Sequence, residues 1–272
     1  MLFRSVWESG LTGNRRDEHR ALLIPVTLPG SRQVVYMQLD TGSPVSMLYR
    51  NQLHRILTAD TTQPINELTL QLGGQPIVLK KPTIIKQGGG GEATSTAPLI
   101  IGTFGTDFLN QHVVQLDFLK KKLTMTDTVP ASINRPLVWS PLLYERGNIL
   151  LPARIRGKAS LLYWDTGSSS FGLLTDRATW SSMAAVDAVP DRYTVQSWGK
   201  PLTAHTIATP DSVQLGKRTL PIGYVSYIEG ASDSQINRMM ALGIGGMTGN
   251  QLFLQSTLLL DTRNRRYSLV DN

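Results

Sequence analysis

The sequence predicts an all-β protein built from two related halves. Most apolar segments of the 272-residue chain are short, rich in Val, Ile, Leu, Thr and Tyr, and end at Gly or Pro, which is the pattern of strands and turns. The chain contains 24 glycines and 15 prolines, a content that suits a turn-rich β protein. Four landmarks also recur once in the same order, which indicates two copies of one structural unit.

The four landmarks define the repeat. An apolar segment at residues 22–30 has its counterpart at 149–157, and each leads to an Asp-Thr-Gly-Ser motif, at 40–43 and at 165–168. Two later landmarks follow in both halves: residues 68–73 match 212–216, and the stretch from 105 to 118 matches that from 249 to 262. Asp117 and Asp261 end apolar runs within the last pair, where a carboxylate commonly satisfies backbone donors of a turn.

The repeat sets the predicted domain organisation, with two lobes related by a pseudo-twofold axis. The predicted units are an N-terminal extension (1–19), an N-terminal lobe (20–135), an interlobe connection (136–147) and a C-terminal lobe (148–272). Only the windows 47–57 and 175–185 have apolar spacing that favours a helix, and each lies shortly after its Asp-Thr-Gly.

The doubled Asp-Thr-Gly is the motif that carries chemistry. Each copy follows an apolar run, 34–39 or 161–164, which would carry its aspartate into a semi-buried position. Burying an unpaired carboxylate is expensive, so two such sites point to a shared purpose. If the two halves meet at the motifs, Asp40 and Asp165 come into contact and cannot both ionise, which places an acid beside a base. Such a pair can activate water for attack on a peptide carbonyl.

The residues after each aspartate have supporting roles in this arrangement. Glycine lets the loop backbone approach closely, threonine hydroxyls can tie the two loops together, and serine hydroxyls can donate to the outer carboxylate oxygens and favour the ionised form. The supporting residues are Thr41, Gly42 and Ser43 in the first copy and Thr166, Gly167 and Ser168 in the second.

The doubled motif, each copy followed by a Gly-x-x-Phe-Leu-type segment and a late Leu-Asp, resembles the pepsin-like, bilobal aspartic peptidases over roughly residues 20–271. The resemblance implies a fold of the pepsin/retropepsin type with a few short helices. It also implies an aspartic endopeptidase with Asp40 and Asp165 as the catalytic pair and without covalent intermediate, metal or cofactor. The expected substrate is a peptide or unfolded protein, extended in the interlobe cleft, with hydrophobic residues flanking the scissile bond.

One feature departs from the family, whose flap is a hairpin of the N-terminal lobe with an aromatic residue near its tip. Here no Tyr or Trp occurs between residues 50 and 102, whereas the second half has a longer stretch between its motif and its third landmark. That stretch reads as strand, turn and strand, with Trp198 and Gly199 at the turn. We hypothesise that the flap belongs to the C-terminal lobe. The alternative is an ordinary hairpin with a surface tryptophan.

Composition restricts the other function classes. The chain has no cysteine, which excludes disulfides, thiolate metal sites and a cysteine nucleophile, and its four histidines lack metal-ligand spacing. Lys and Arg number 27 against 20 Asp and Glu, but the basic runs are short and separate, so we expect no nucleic-acid partner. We also expect no membrane partner, since no apolar run approaches the length of a membrane-spanning helix. The protein is expected to be a monomer.

Two questions stay open at this level. Residues 1–20 are too polar for a signal peptide, which predicts a cytoplasmic protein, or a periplasmic or secreted one if an export signal has been removed. The rival to a peptidase is a peptide-binding module that keeps the fold but has weak or no turnover. The absence of a recognisable N-lobe flap favours this rival, because open water weakens electrostatic stabilisation of the transition state.

Overall fold

The computed structural model describes residues 2–57, 64–86, 88, 97–131, 133, 136–197, 200–230 and 243–271. Strands make up 56% of the structure against 9% for helices, which confirms the all-β prediction. Within this described part, no helix has both the length and the apolar character needed to cross a membrane.

The N-terminal half contains eleven described strands and two short helices. The strands are β1 (Leu2–Arg4), β2 (Val6–Thr12), β3 (Arg15–Val26), β4 (Val35–Leu39), β5 (Met47–Tyr49), β6 (Glu67–Leu72), β7 (Gln75–Lys80), β8 (Thr83–Ile85), β9 (Ile100–Phe104), β10 (Val113–Asp117) and β11 (Lys122–Thr126). The helices are α1 (Arg50–Leu53) and α2 (Thr106–Leu109).

The C-terminal half contains a second set of eleven described strands. These are β12 (Ser140–Pro141), β13 (Leu143–Glu145), β14 (Asn148–Ile155), β15 (Lys158–Trp164), β16 (Leu173–Leu174), β17 (Asp191–Ser197), β18 (Lys200–Leu215), β19 (Arg218–Glu229), β20 (Ile244–Thr248), β21 (Ser256–Asp261) and β22 (Arg266–Asp271). The helical segments are α3 (Arg177–Ser182) and two 3₁₀ turns, Thr166–Ser168 and Asn250–Phe253.

Each half builds one large sheet, and the strand orders correspond. The N-terminal sheet has the order β2-β3-β4-β9-β5-β8, and the C-terminal sheet begins β13-β14-β15-β20-β16-β19 before it adds β18 and β17. In both sheets the strand that precedes the Asp-Thr-Gly lies parallel to the strand that precedes the fourth landmark: β4 along β9 and β15 along β20. The repeated sequence therefore folds into the same local strand arrangement twice.

A third sheet joins the two halves. Its order is β1-β11-β10-β21-β22-β12, with β10 of the N-terminal half antiparallel to β21 of the C-terminal half. The ring of Phe253 packs edge-on against Trp164 at 6.4 Å and stacks with Phe118, also at 6.4 Å. One apolar core therefore runs from this third sheet, which we call the central sheet, to β15, the strand that ends immediately before Asp165.

The helix prediction for residues 47–57 is only partly right. Arg50–Leu53 forms α1, but Met47–Tyr49 is strand β5, which pairs with β8 and β9. All three strand residues are buried, at 8%, 0% and 5% exposure. In a strand covered on both faces, consecutive side chains are all buried although they point to opposite sides. A helix at the protein surface would instead have left at least one of these residues facing solvent. The second window contains α3, at Arg177–Ser182.

Candidate active site

The two motif aspartates lie at the ends of equivalent strands. Asp40 follows β4 and its amide donates to the carbonyl of Phe104 at the end of β9, at 3.0 Å. Asp165 follows β15 and its amide donates to the carbonyl of Thr248 at the end of β20, at 2.9 Å. Because each aspartate is anchored to a buried neighbouring strand, the position of its carboxyl group is set by the sheet and not by a free loop.

The threonines of the two motifs exchange hydrogen bonds reciprocally. The amide of Thr41 donates to Oγ1 of Thr166, and the amide of Thr166 donates to Oγ1 of Thr41, both at 3.0 Å. Each hydroxyl then donates across to the other half, Thr41 to the carbonyl of Trp164 at 2.7 Å and Thr166 to that of Leu39 at 2.8 Å. Both threonines are completely buried. The four bonds lock the two motif loops together in one relative position.

The glycines allow the carboxyl groups to meet between the loops. A Cβ atom on Gly42 would lie 2.5 Å from Oδ1 of Asp165, and a Cβ atom on Gly167 would lie 2.4 Å from Oδ1 of Asp40. Such approaches are far below van der Waals contact, so a side chain at either position would displace the opposite carboxyl group. Each carboxyl group thus sits against the backbone of the opposite motif, as the sequence analysis predicts from the close approach that glycine permits.

The two carboxyl groups have different hydrogen-bond environments. Asp165 accepts from the amides of Gly167 (2.9 Å) and Ser168 (3.3 Å) at Oδ1 and from the hydroxyl of Ser168 (2.8 Å) at Oδ2. Asp40 accepts from the amide of Gly42 at 2.9 Å and, more weakly, from that of Ser43, but it has no hydroxyl donor such as Ser168 provides to Asp165. Because donors stabilise a carboxylate, the arrangement favours the negative charge on Asp165.

The predicted role of the Ser43 hydroxyl is wrong. It donates to the carbonyl of Val45 at 2.6 Å instead of to Asp40, whereas its counterpart Ser168 does reach its aspartate. Pro44 follows Ser43 and supplies no amide donor, and the turn beyond it brings the carbonyl of Val45 back over the serine side chain. A hydroxyl has a single proton to donate, so Asp40 is left without this donor.

The electrostatics of the pair follow from burial and contact. Burial, followed by the negative charge of Asp165 and a hydrogen bond with its side chain, raises the pKa of Asp40 to about 7. The amides of Gly42 and Ser43 oppose this shift without cancelling it. One member of the pair therefore holds a proton across the acidic and near-neutral range, in which a free aspartate would be ionised.

Two tyrosines near the pair are absent from the predicted site. The hydroxyl of Tyr163 donates to the carbonyl of Thr41 at 3.3 Å, and its pKa is raised by burial and by the charges of Asp165 and Asp40. The hydroxyl of Tyr49 is hydrogen-bonded with that of Thr103, and the pKa of Tyr49 is raised mainly by burial, with a smaller contribution from the charge of Asp40. Both tyrosines therefore stay neutral. Tyr163 stands two residues before Asp165, but nothing in the sequence distinguishes it from an ordinary strand residue.

The two strands predicted on either side of Trp198 and Gly199 pair with each other. Strands β17 and β18 pair antiparallel from Asp191↔Thr206 to Ser197↔Lys200. Trp198 and Gly199 lie outside the described residues, so the hypothesis that Trp198 covers the aspartates stays a prediction. As for metals, the described residues contain no group of three His, Asp or Glu side chains placed to hold an ion.

Comparison with protein-family models and with curated proteins finds no match to this chain. The interpretation of the site therefore depends on its geometry and its chemistry.

The raised pKa of Asp40 has a consequence for stability. Between about pH 4 and pH 7 the unfolded chain has released this proton while the folded chain retains it, so the free energy of unfolding falls as the pH rises. We expect this group to contribute a slope of up to ~1.4 kcal/mol per pH unit in that window. Urea denaturation of the wild type and of Asp40→Asn at several pH values checks this. Equal slopes in the two proteins would contradict it.

Proposed function

We propose that the chain is an aspartic endopeptidase of the pepsin-like, bilobal type, with lobes over residues 20–135 and 148–272. In this proposal it hydrolyses peptide bonds with a water molecule activated by Asp40 and Asp165. The observation that carries the proposal is the meeting of two carboxyl groups from two copies of one motif, the half-buried Asp40 and the buried Asp165, each against the glycine of the other motif. Burial and the charge of Asp165 raise the pKa of Asp40 to about 7. An acid and a base in contact are what direct attack of water on an amide requires.

The hydrogen-bond asymmetry supports an assignment of roles. Asp165, with three donors, holds the negative charge and acts as the general base. Asp40, with its raised pKa, holds the proton and acts as the general acid. Both side chains keep their orientation because the threonine exchange fixes the loops that carry them.

The reaction then proceeds with its protons balanced. Asp165 takes a proton from water as the water oxygen bonds to the peptide carbonyl carbon, and Asp40 gives its proton to the carbonyl oxygen. The neutral tetrahedral intermediate collapses when its C–N bond breaks. The leaving nitrogen receives the proton held by Asp165, and Asp40 recovers a proton from a hydroxyl of the intermediate. The products are a carboxylic acid and an amine, and the pair returns to its starting state.

The test of the proposal is cleavage of a denatured protein mixture between about pH 3 and pH 7, the range in which such a pair shares one proton. We expect discrete cuts, and their sequences would give the specificity. The substrate is a peptide or unfolded protein that lies extended between the two halves, and the proposed enzyme acts as a monomer.

The two serines make a matched pair of variants for the proposed mechanism. Ser168→Ala removes a hydroxyl that donates to Asp165, so we expect kcat/KM to fall by about tenfold, because the carboxyl group loses a charge-assisted hydrogen bond. Ser43→Ala removes a hydroxyl that donates to Val45, so its kcat/KM should stay close to the wild-type value. Values of kcat/KM measured with one peptide substrate check this. A Ser168→Ala variant as active as Ser43→Ala would contradict the role of the Ser168 hydroxyl.

A further inference from the structure

The first hairpin of the N-terminal half is much longer than its counterpart in the C-terminal half. Strand β3 pairs at Leu23 with the residue two positions before Asp40, and strand β14 pairs at Leu150 with the residue two positions before Asp165. Beyond these points the β2–β3 hairpin extends about six residues, or ~20 Å, farther than β13–β14 before it turns. We call this extension, residues 10–20, the N-terminal arm.

The tip of the arm is held against the C-terminal half beside the candidate active site. Oγ1 of Thr12 lies 3.4 Å from Oγ of Ser170, five residues after Asp165. The backbone and side-chain amides of Asn14 donate to the two carboxylate oxygens of Asp191, each at 3.1 Å. The arm therefore bridges the loop that follows Asp165 and the first strand of the β17–β18 hairpin.

Arg15 sits at this tip in an unusual state. Its guanidinium carbon lies 3.9 Å from the ring centre of Tyr224, and its Nε is buried without a hydrogen-bond partner. It also lies against Tyr193, where its charge and a hydrogen bond from its side chain offset part of the rise that burial causes in the pKa of that tyrosine. Among the described residues it forms no ion pair with a carboxylate. Its neighbour Arg16, by contrast, pairs with Glu18 on the exposed face of the arm.

This state of Arg15 is suited to a ligand. Stacking on an aromatic ring orients the plane of a guanidinium, and the N–H groups that are not used by Tyr193 remain to bind a carboxylate. An internal salt bridge would have consumed those donors. The chain also carries 27 Lys and Arg against 20 Asp and Glu, so an acidic peptide is attracted from solution.

We propose that Arg15 is a specificity residue that binds an acidic side chain of the peptide substrate, three or four residues from the scissile bond. The inference rests on the proposed peptidase function. The position follows from the contacts of the arm. The segment from Asp165 to Ser170 begins with a 3₁₀ turn and spans ~10 Å at about 2 Å per residue. Ser170 contacts Thr12, which is paired with Arg15 across the hairpin, so the flexible Arg15 side chain starts one strand spacing farther on. An extended peptide covers a similar distance in three or four residues.

The test uses peptides built around a cut site mapped in denatured protein, with Glu, Gln or Lys placed three or four residues away on either side. For the wild type we expect kcat/KM to be about tenfold higher with Glu than with Gln at one of these positions. Arg15→Ala should reduce the ratio to near one, and Arg15→Glu should favour Lys. The control Arg16→Ala, also on the arm, should keep the wild-type ratio.

Two outcomes would overturn the inference. One is a wild type with equal kcat/KM for the Glu and Gln peptides, and the other is an Arg15→Ala variant that keeps the wild-type ratio. Loss of the stacked Arg15 side chain can alter the conformation of the N-terminal arm. Arg15→Lys therefore provides a second variant that retains the positive charge. It should keep a measurable preference for Glu over Gln, and its loss in a folded Arg15→Lys variant would also count against the inference.

A binding assay that needs no mapped cut site separates this inference from the proposed function: labelled extended peptides that differ only by Glu, Gln or Lys at one position are added to Asp165→Asn, and their binding is followed by fluorescence anisotropy. If the Glu peptide binds more tightly than the Gln peptide, this difference depends on Arg15 and the wild type cleaves no peptide, then Arg15 recognises acidic side chains and the peptidase proposal is overturned. Cleavage without any charge preference would keep the peptidase and overturn the role of Arg15.

Discussion

Asp40→Asn and Asp165→Asn are each expected to lower peptide-bond hydrolysis by about 10⁴-fold. The two carboxyl groups share one proton, so an amide at either position removes half of an acid–base pair that works only as a unit. Asparagine at 165 cannot take the proton of the attacking water, and asparagine at 40 cannot give one to the carbonyl oxygen. We expect the loss in kcat, since each transfer occurs in the transition state.

The measurement is cleavage of denatured protein and of a derived peptide, with folding checked by circular dichroism. Asp117→Asn is the matched control: Asp117 is also buried, but it belongs to the central sheet, where it accepts from the amide of Lys120 at 2.9 Å. An asparagine oxygen can accept the same bond, so this variant should stay active. Full activity in either motif variant would contradict the catalytic pair. A folded wild type that binds peptides but cuts none would favour the peptide-binding module.

The parts of the structure that repeat could be predicted from sequence. The four landmarks occur in the same order in both halves, and the strand orders of the two large sheets correspond accordingly. The turn role predicted for Asp117 and Asp261 is confirmed, since each accepts from the amide three residues later, that of Lys120 and that of Asn264. Such local roles are encoded by a few adjacent residues, and a second copy of the pattern removes most of the ambiguity.

The departures from symmetry could not be read in the same way. Identical Asp-Thr-Gly-Ser motifs predict identical serines, yet Ser43 and Ser168 donate to different acceptors. The difference comes from the residues that follow, since Pro44 redirects the first loop whereas Ser169 continues the second. It is this asymmetry, and not the shared motif, that supports different roles for Asp40 and Asp165.

The N-terminal arm shows a second limit of the sequence. The dipeptide Gly13-Asn14 between two strand-like segments is a turn signal, and residues 1–19 belong to an extension in the predicted domain division. The contacts of its tip with Ser170 and Asp191 join residues that are far apart along the chain. No local sequence pattern specifies which residues such a tip contacts, because its contacts depend on how the two halves pack against each other. The candidate specificity residue Arg15 is therefore found only in the structure.

The second large effect is expected at the threonine exchange. Thr41→Val keeps the shape of the side chain but removes Oγ1, which leaves the carbonyl of Trp164 and the amide of Thr166 without their partners. Both groups are buried, and each unsatisfied group costs about 1–3 kcal/mol. We expect Thr41→Val to lower the free energy of unfolding by about 2–6 kcal/mol, a large share of the 5–15 kcal/mol typical of a folded domain.

Urea denaturation at constant pH measures this effect, and the structure supplies two comparisons. Thr166→Val should destabilise to a similar extent, because it removes the corresponding bonds to Leu39 and to the amide of Thr41. Thr41→Ser keeps the hydroxyl and loses one methyl group, so its cost should be about 1 kcal/mol. A valine variant as stable as the serine variant would mean that the exchange does not hold the halves together. Since these bonds also set the spacing of Asp40 and Asp165, we expect the valine variants to lose activity even under conditions where they remain folded.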